Sequence, residues 1–306
     1  MKKPNLFLIG GAKCGTTSMA SYLSQHPQVF WSDPKELWYF CRPDFPHKSG
    51  EPLSEDQYLN HFTRSTSQHI YLAEGSVSYL YAEGAVQRIL EFNSSAKFIV
   101  MIRNPLEAIF SLHRQMLMNM QESEPDFEKA WRLQGERRIG KKVPMKCQNS
   151  RYLLYKDWCL WGKQLEHVYQ VAGEENVCVL LFDDFKRNPK REYERVLSFL
   201  GLNSDDRFEF PVENKGKSYR NQKLVNVLDS LLVLGSRVRT ALGLSYSIPF
   251  IVRLVSKIKG RQLTEVSQNR LSNEVRHELE EAFRSDIELL SRLLGRDLTD
   301  WLDSRG

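Results

Sequence analysis

The stretch from Phe7 to Met19, which reads FLIGGAKCGTTSM, decides the fold of this 306-residue chain. An apolar run is followed by two glycines. Lys13, Gly15 and two threonines come next, before an amphipathic helix begins. In such a turn the backbone N–H groups of the loop and of the first helical turn point at one spot, and the helix dipole favours an anion there. The stretch therefore predicts a phosphate-binding loop between a strand and a helix, with Lys13 as an added positive charge.

The position of the lysine distinguishes this loop from that of a nucleotide triphosphatase. The pattern G-x-x-x-x-G-K-[ST] places lysine directly after the last glycine. Gly10 and Gly15 keep that spacing, but Thr16 stands at the lysine position and Lys13 comes before Gly15. The loop therefore predicts a nucleotide-like phosphate that is held differently from the triphosphate of an ATP or GTP hydrolase. The alternative is a turn that only lets the helix pack closely on the sheet, which requires neither lysine nor paired threonines.

Composition narrows the class of protein. The chain is 41% hydrophobic and 26% charged, as is usual for a globular protein, and no linker rich in Pro, Gly or Ser divides it. We therefore expect one domain over residues 1–306. The net charge of +5 suits an anionic ligand, but a dense basic stripe is missing, so we expect no nucleic-acid partner. Oligomeric state stays open.

Cysteines and hydropathy indicate the compartment. Five cysteines form an odd set without CxxC pairs, which favours a reducing compartment over a disulfide scaffold or a zinc site. No stretch of about 18 apolar residues exists, and Lys13 interrupts the apolar run near the N-terminus before any cleavage site. We expect a cytoplasmic protein with no membrane span and no metal site.

Strand and helix patterns alternate, which predicts an α/β fold with a central parallel sheet. After Gly201 the strand patterns stop, and a helical C-terminal part is expected to pack on the sheet, with helices over Gln222–Leu242 and Asn273–Leu294. The polar segment 121–148 is expected to be a surface excursion. The predicted strands are Leu6–Ile9, Ile70–Ala73, Lys97–Ile102 and Val177–Phe182, and the predicted helices are Thr17–Gln25, Ala82–Phe92, Pro105–Asn119, Arg151–Ala172 and Pro189–Leu200.

Two further segments carry candidate chemistry. In SDPKELWYF, Lys35 and Glu36 precede an aromatic cluster, and a carboxylate there could act as a general base. The alternative is a solvated surface pair. Arg103 ends a predicted strand, where open α/β sheets bind ligands, and Ser111 lies in the next helix. Arginine binds phosphate in a bidentate manner and serine can add a donor, although a strand-end arginine can also simply cap the sheet.

Two other segments have stronger structural alternatives. The run NKGKSYRNQKL contains Lys217 and Arg220 and could clamp an anion, but charge runs are commonly just solvated. In VLLFDDF, Asp183 and Asp184 follow an apolar run as magnesium-binding aspartates do in nucleotide triphosphatases. A helix N-cap after a strand is the favoured interpretation of that pair.

Taken together, the segments resemble the PAPS-dependent sulfotransferases, in particular their bacterial and carbohydrate-type branch. GGAKCGTTSM is similar to the family's 5′-phosphosulfate loop, IRNPLEAIFS to its 3′-phosphate segment, and PKELWYF to its catalytic-base segment. EGSVSYL, FDDFKRNP, FLGL and LLGRDLTDW add to the resemblance, which covers nearly the whole chain. It implies a P-loop-like fold of the nucleotide-kinase type, with PAPS as donor and PAP as product.

The resemblance also implies roles for individual residues. Lys13 would contact the bridging and 5′-phosphate oxygens and stabilise the leaving group, while Arg103 and Ser111 would hold the 3′-phosphate. Glu36 would deprotonate the acceptor, with Lys35 as a neighbouring charge; His113 is a reserve candidate for the base. The remaining donor-binding residues it implies are Cys14, Gly15, Thr16, Thr17 and Ser18 in the loop, and Lys217 and Arg220 in a basic lid.

Two departures concern the substrate side. Gly75 stands where many relatives have lysine or a small residue, and Ala108 stands where arginine is common. The implied reaction moves a sulfuryl group to a small-molecule, carbohydrate or lipid acceptor, whose identity and attacking atom, oxygen or nitrogen, the sequence leaves open. Two alternatives remain: a magnesium-dependent P-loop kinase, and a protein that binds PAP without catalysis.

Overall fold

A computed structural model of the chain describes residues 2–41, 53–211, 217–219, 263–265 and 271–303. Its residues form two units. The first contains Met1–Leu112, Tyr155–Glu213 and Asn273–Gly306, and the second contains His113–Leu154 and Asn214–Ser272. The single domain expected from the sequence stays a prediction.

Five parallel strands form the sheet of the first unit, in the order β2-β3-β1-β4-β5. This arrangement confirms the predicted α/β class. The first strand lies in the middle of the sheet, and its side chains are fully buried, as expected for a strand covered on both faces. The strands are β1 Leu6–Leu8, β2 Val29–Trp31, β3 Tyr71–Glu74, β4 Lys97–Ile102 and β5 Val177–Leu181.

Strand β2 is the one sheet member that the sequence did not predict. It has three residues, VFW, and two of them are only partly buried. A run this short shows no periodicity from which a strand could be read. The strand is identified only by its pairing with β3, in which Val29 lies opposite Tyr71 in a parallel register.

Most predicted helices are confirmed to within a few residues, and one is divided. The predicted helix Arg151–Ala172 is interrupted because Leu154 and Leu160 adopt non-helical backbone angles, with ψ near 69° and 68°. The helices are α1 Thr16–Leu23, α2 Glu55–Asn60, α3 Ala85–Phe92, α4 Pro105–Met118, α5 Phe127–Arg132, α6 Gln134–Arg138, α7 Tyr155–Trp158, α8 Trp161–Ala172, α9 Phe182–Arg187, α10 Pro189–Leu200 and α11 Asn273–Leu294.

Helix α11 packs against α8 in the first unit and completes its N-terminus. The buried carboxylate of Asp286 accepts hydrogen bonds from the backbone N–H groups of Gly162 and Lys163, each over 2.9 Å. A side chain at Gly162 would collide with the backbone, because its Cβ would lie 2.3 Å from the carbonyl oxygen of Asp286. Asp286 therefore caps α8 from another element, because Leu160, the residue before α8, cannot do so.

The second unit contains α5, α6 and a short antiparallel pair, β6 Lys217–Tyr219 and β7 Leu263–Glu265. This pair corrects the expectation that no strand follows Gly201. Segment 121–148 is likewise more ordered than a plain surface excursion, because Arg137 and Glu122 form a buried bidentate ion pair with both N–O distances at 2.7 Å. The predicted helix Gln222–Leu242 lies outside the described residues.

Two features are absent from the described residues. None of their helices is both long and apolar enough to span a bilayer. Nor do their His, Cys, Asp and Glu side chains form a group of three or more that could hold a metal ion.

Candidate active site

The candidate residues of the first unit gather at the carboxyl edge of its sheet. Strands β3, β1 and β4 are parallel neighbours, so the segments that follow Glu74, Leu8 and Ile102 leave the sheet at the same edge. After β1 the chain builds β2 and β3 on one side of that strand, and then β4 on the other. The end of β1 is therefore a topological switch point, which is where open α/β sheets bind ligands.

The loop after β1 is shaped by its glycines. A Cβ at Gly10 would lie 2.1 Å from the backbone nitrogen of Met101, so only glycine fits against β4. The N–H of Gly11 donates to the carbonyl of Met101 over 2.7 Å, which fixes the loop to the same strand. Lys13 and Gly15 both have left-handed backbone angles, with φ of 68° and 84°. A left-handed lysine is unusual and costs free energy, which is typical of functional loops.

Helix α1 begins directly at this loop with an open N-terminus. The residue before it, Gly15, has no side chain to cap the first turn. Thr16 and Thr17 are the first helical residues, so their N–H groups point out of the helix end, as an anion site requires. The N–H of Ser18 instead donates to the carbonyl of Gly15 over 3.1 Å.

The side chain of Cys14 in this loop is buried. Its thiol is fully buried and lies 3.5 Å from the carbonyl of Ala12. Burial raises the pKa of the Cys14 thiol to about 12, so the group stays protonated and neutral. Any contribution of Cys14 to anion binding would therefore come from its backbone N–H.

Arg103 joins the end of β4 to the phosphate loop. Its Nη1 donates to the main-chain carbonyl of Lys13 over 3.4 Å, and its guanidinium carbon lies 4.6 Å from the centre of the Phe182 ring. The same ring lies below Gly15, where a Cβ would come within 3.0 Å of it. Nε of Arg103 is buried and has no hydrogen-bond partner among the described residues. A buried donor without a partner is costly, so this atom marks a place where an acceptor fits.

Glu107 contacts a candidate site residue, and the sequence did not predict this contact. Its carboxylate forms an ion pair with the guanidinium of Arg103, and it is about half exposed. Ser111 follows Glu107 by four positions in α4, so the two share one helix face. Arg103 lies before α4, so its ion pair with Glu107, and not the helical period, brings it to the face that Glu107 and Ser111 share.

Glu36 lies between two donors beyond β2. Nζ of Lys35 is 3.3 Å from Oε1 of Glu36, and Nε1 of Trp38 donates to Oε2 over 2.9 Å. About a third of the Glu36 side chain is exposed, so the carboxylate can be reached from solvent. Burial lowers the pKa of Lys35, and the neighbouring Glu36 opposes that change. The pair is therefore fixed and partly buried, unlike the solvated pair that was its alternative.

A buried network beneath Glu36 also escaped the sequence analysis. Glu74 at the end of β3 is fully buried, and Oε1 accepts hydrogen bonds from Tyr58 and Tyr79 over 2.9 and 2.8 Å. Its Oε2 accepts from the hydroxyl of Ser76 over 2.9 Å. Burial raises the pKa of Glu74 to about 7, although these hydrogen bonds lower it. The segment EGS adds to the family resemblance, but no sequence pattern indicates that its glutamate is buried.

Gly75 explains one departure from the family pattern. A Cβ at this position would come within 2.9 Å of Cε of Lys35 and 3.1 Å of Cζ2 of Trp31. Nζ of Lys35 donates to the carbonyl of Gly75 over 2.7 Å. The lysine of the neighbouring segment therefore fills the space that a side chain at position 75 would occupy.

The other candidates lie elsewhere. His113 in the second unit is 2% exposed, and its Nε2 lies 2.8 Å from the carbonyl oxygen of Glu124. Burial lowers the pKa of His113, and its burial and its contact with Glu124 are those of a packed core residue. Lys217 is described only as part of β6, and Arg220 lies outside the described residues.

The two aspartates after β5 are at the start of a helix, as the favoured interpretation held, but in its first turn and not at the N-cap. Asp184 forms an ion pair with Arg296, and this hydrogen bond lowers the pKa of the carboxyl group. That partner competes with any cation for the same carboxylate. The contact offers no support for a magnesium site at Asp184.

Comparison with known proteins gives consistent matches. The protein-family model of the sulfotransferase domain matches residues 3–224 of this chain. A crystal structure of a sulfotransferase from Alicyclobacillus acidocaldarius is 25% identical, with a TM-score of 0.70, and the match covers 98% of this chain and 99% of that one. The human heparan sulfate glucosamine 3-O-sulfotransferase 5 is 26% identical over 65% of this chain and 54% of its own length.

A third relative is the membrane-associated sulfotransferase kil1 of Dictyostelium discoideum, 31% identical over 35% of this chain and 22% of its own length. The chain thus spans between about a fifth and about half of the length of these curated relatives. The crystal structure is matched over nearly its entire length.

Proposed function

The chain belongs to the sulfotransferase family, and on that premise we propose that it transfers a sulfuryl group from PAPS to a hydroxyl or amine. One observation carries the proposal. At one edge of the sheet, an open helix N-terminus and an arginine with an unpartnered buried Nε adjoin the switch point, and a partly exposed carboxylate held by two donors follows β2 at the same edge. The first two suit a doubly phosphorylated nucleotide, and the third suits a base.

The donor would be held at two places. The N–H groups of Gly15, Thr16 and Thr17 and the ammonium of Lys13 would bind the 5′-phosphate side, because no side chain of Gly15 caps the helix and the first N–H groups point out of its end. Arg103 would bind the 3′-phosphate with its free Nε, and Ser111 on the neighbouring helix face would add a hydroxyl.

The reaction needs one proton acceptor and one site that stabilises negative charge. Glu36 would take the proton of the acceptor while the acceptor atom forms its bond to sulfur and the bond from sulfur to the 5′-phosphate oxygen breaks. Charge then grows on that phosphate oxygen, and Lys13 with the loop N–H groups would stabilise it. Lys35 beside Glu36 would stabilise charge on the transferring group. Every step uses residues that belong to the first unit.

The names of the relatives guide the choice of acceptors to test. One relative is named for a glucosamine unit of heparan sulfate, so carbohydrate hydroxyls and amines are the first acceptors to test. Lipid and small aromatic alcohols follow as further arms of the same screen. Turnover is read as the appearance of PAP from labelled PAPS.

Calorimetry tests the donor assignment. We expect PAP to bind without Mg²⁺ and at least tenfold more tightly than ADP, because the charged contacts of a second phosphate add more than about 1.4 kcal/mol. Lys13→Met should weaken PAP binding, whereas Lys190→Met, on an exposed lysine of α10, should not. Equal binding of PAP and ADP, or a magnesium requirement, contradicts the proposal. Tight PAP binding with no turnover on any acceptor would point to a non-catalytic PAP-binding protein.

A further inference from the structure

The segment Glu74–Ser76 touches the chain on both sides of Glu36. The N–H of Gly75 donates to the carbonyl of Lys35 over 2.9 Å, and the carbonyl of Gly75 accepts from Nζ of the same lysine. After Glu36, the hydroxyl oxygen of Ser76 accepts from the N–H of Leu37 over 3.1 Å and from that of Trp38 over 3.0 Å. The residues before and after Glu36 are therefore held by one short segment.

Glu74 orients the hydroxyl that makes these contacts. Ser76 donates its one proton to Oε2 of Glu74, which leaves the lone pairs of its oxygen for the two N–H groups. The N–H of Leu37 also lies 3.4 Å from Oε2 of Glu74. Because Ser76 is fully buried, these N–H groups would have no water to replace the serine.

The same segment limits where the Glu36 carboxylate can lie. Its two partners are the side chains of Lys35 and Trp38, and the backbone of both residues is bonded to Gly75 or Ser76. Trp38 has a left-handed backbone, with φ of 56°, an angle that a bulky residue keeps only when its surroundings enforce it. The hydrogen bonds that Ser76 accepts from the N–H groups of Leu37 and Trp38 are placed to do so.

We infer that Glu74 and Ser76 are positioning residues for Glu36: Glu74 orients Ser76, and Ser76 fixes the turn that aims the Glu36 carboxylate at the acceptor. The inference rests on the proposed role of Glu36. Glu74 itself is fully buried and acts through Ser76, so it is not assigned a catalytic part.

Ser76→Ala is the direct test, and Tyr58→Phe is its matched control. Tyr58→Phe removes a hydrogen bond to the same carboxylate, but on Oε1, the oxygen away from the turn. We expect Ser76→Ala to speed hydrogen exchange of the Leu37 and Trp38 amides and to lower turnover of PAPS about 100-fold, with unchanged PAP affinity. Tyr58→Phe should leave both exchange and turnover as in the wild type, and lower only the melting temperature.

Two further variants refine the test. Glu74→Gln keeps an oxygen that can accept from Ser76, while its amide can donate to the tyrosine hydroxyls, so exchange and turnover should stay near wild type. Ser76→Cys keeps the size of the side chain but offers a weak acceptor, and serves if Ser76→Ala does not fold.

The outcomes separate the inference from the function on which it rests. Unchanged amide exchange together with unchanged turnover in both Ser76 variants overturns the inference. An equal loss of turnover in Tyr58→Phe also overturns it, because a general weakening of the core would then be the cause. If the wild type transfers nothing from PAPS, the proposed function fails, and the exchange measurement still decides whether Ser76 fixes the turn.

Discussion

The guanidinium of Arg103 donates a hydrogen bond to the main-chain carbonyl of Lys13. This contact connects the end of β4 to the left-handed turn of the phosphate loop. The two proposed phosphate sites are therefore in direct contact with each other. The hydrogen bond also leaves Nε of Arg103 facing no acceptor among the described residues.

Arg103→Lys should therefore reduce the preference for PAP over ADP. Lysine offers a point charge and cannot reproduce the planar fork that bonds a carbonyl and a phosphate together. We expect PAP affinity to fall about tenfold in calorimetry while ADP affinity stays unchanged. Arg191→Lys, at an exposed arginine of α10, is the control and should change neither value. Equal losses for the two nucleotides would argue against a 3′-phosphate at Arg103.

Glu107→Gln should have the opposite effect. In the structure Glu107 pairs with Arg103, so its negative charge competes with a phosphate for the same guanidinium. Removing that charge should tighten PAP binding roughly threefold to tenfold at low salt, and the gain should shrink as salt rises. Glu91→Gln on an exposed turn of α3 is the matched control. Weaker PAP binding in Glu107→Gln would mean that the carboxylate orients Arg103 more than it competes.

Gly75→Ala tests the place of Lys35. The new methyl group would overlap Cε of Lys35 and force the ammonium away from the Gly75 carbonyl and from Glu36. We expect turnover to fall roughly tenfold with unchanged PAP affinity, because only the charge beside the reacting group moves. Gly135→Ala adds the same methyl group where no atom lies within 4 Å, and should behave as wild type.

Asp286→Ala should destabilise the first unit. The substitution leaves the buried N–H of Gly162 and the partly buried N–H of Lys163 without their acceptor, at a cost of about 1–3 kcal/mol of unfolding free energy. Urea unfolding of this variant beside Glu288→Ala, an exposed position on the same helix, measures the difference. Matching midpoints and slopes for the two variants would show that the cap is not needed.

Stability should also depend on pH through Glu74. Its pKa is raised from 4.5 to about 7 in the folded protein, so the folded state holds a proton that the unfolded state releases. The contribution of Glu74 is therefore full below pH 4.5 and is lost as pH rises toward 7, with a slope of at most about 1.4 kcal/mol per pH unit. The difference in unfolding free energy between wild type and Glu74→Gln should change over this window. A constant difference would contradict the raised pKa.

Local patterns were enough to predict the parts of the fold that repeat over many residues. The sheet class, the phosphate loop and helix α11 follow from apolar runs, glycine spacing and the helical period. Asn273–Leu294 is helical over the range predicted. Strand β2 escaped because three residues carry no period, and the break at Leu160 escaped because the helical pattern continues through it.

Candidate site residues could be predicted where their chemistry shows within one short segment. They could not be predicted where it depends on contacts between distant segments. Lys13, Lys35 and Glu36 are candidates that their own segments predict. Glu74 meets Tyr58 and Ser76 only after β3 has joined the sheet. No local pattern distinguishes such an inward carboxylate from an exposed one, and the pairing of Arg103 with Glu107 required the helix to be placed first.

The cap on α8 has a consequence for how the protein folds. Trp161 at the start of α8 donates to the carbonyl of Arg103, and its ring lies against Gly11, where a Cβ would come within 2.5 Å. Asp286, far along the chain, completes the end of that helix. The phosphate loop is thus synthesised early but supported late, so we expect it to become ordered only after α11 docks. Long-range contacts of this kind slow folding, and partly made chains should bind no nucleotide.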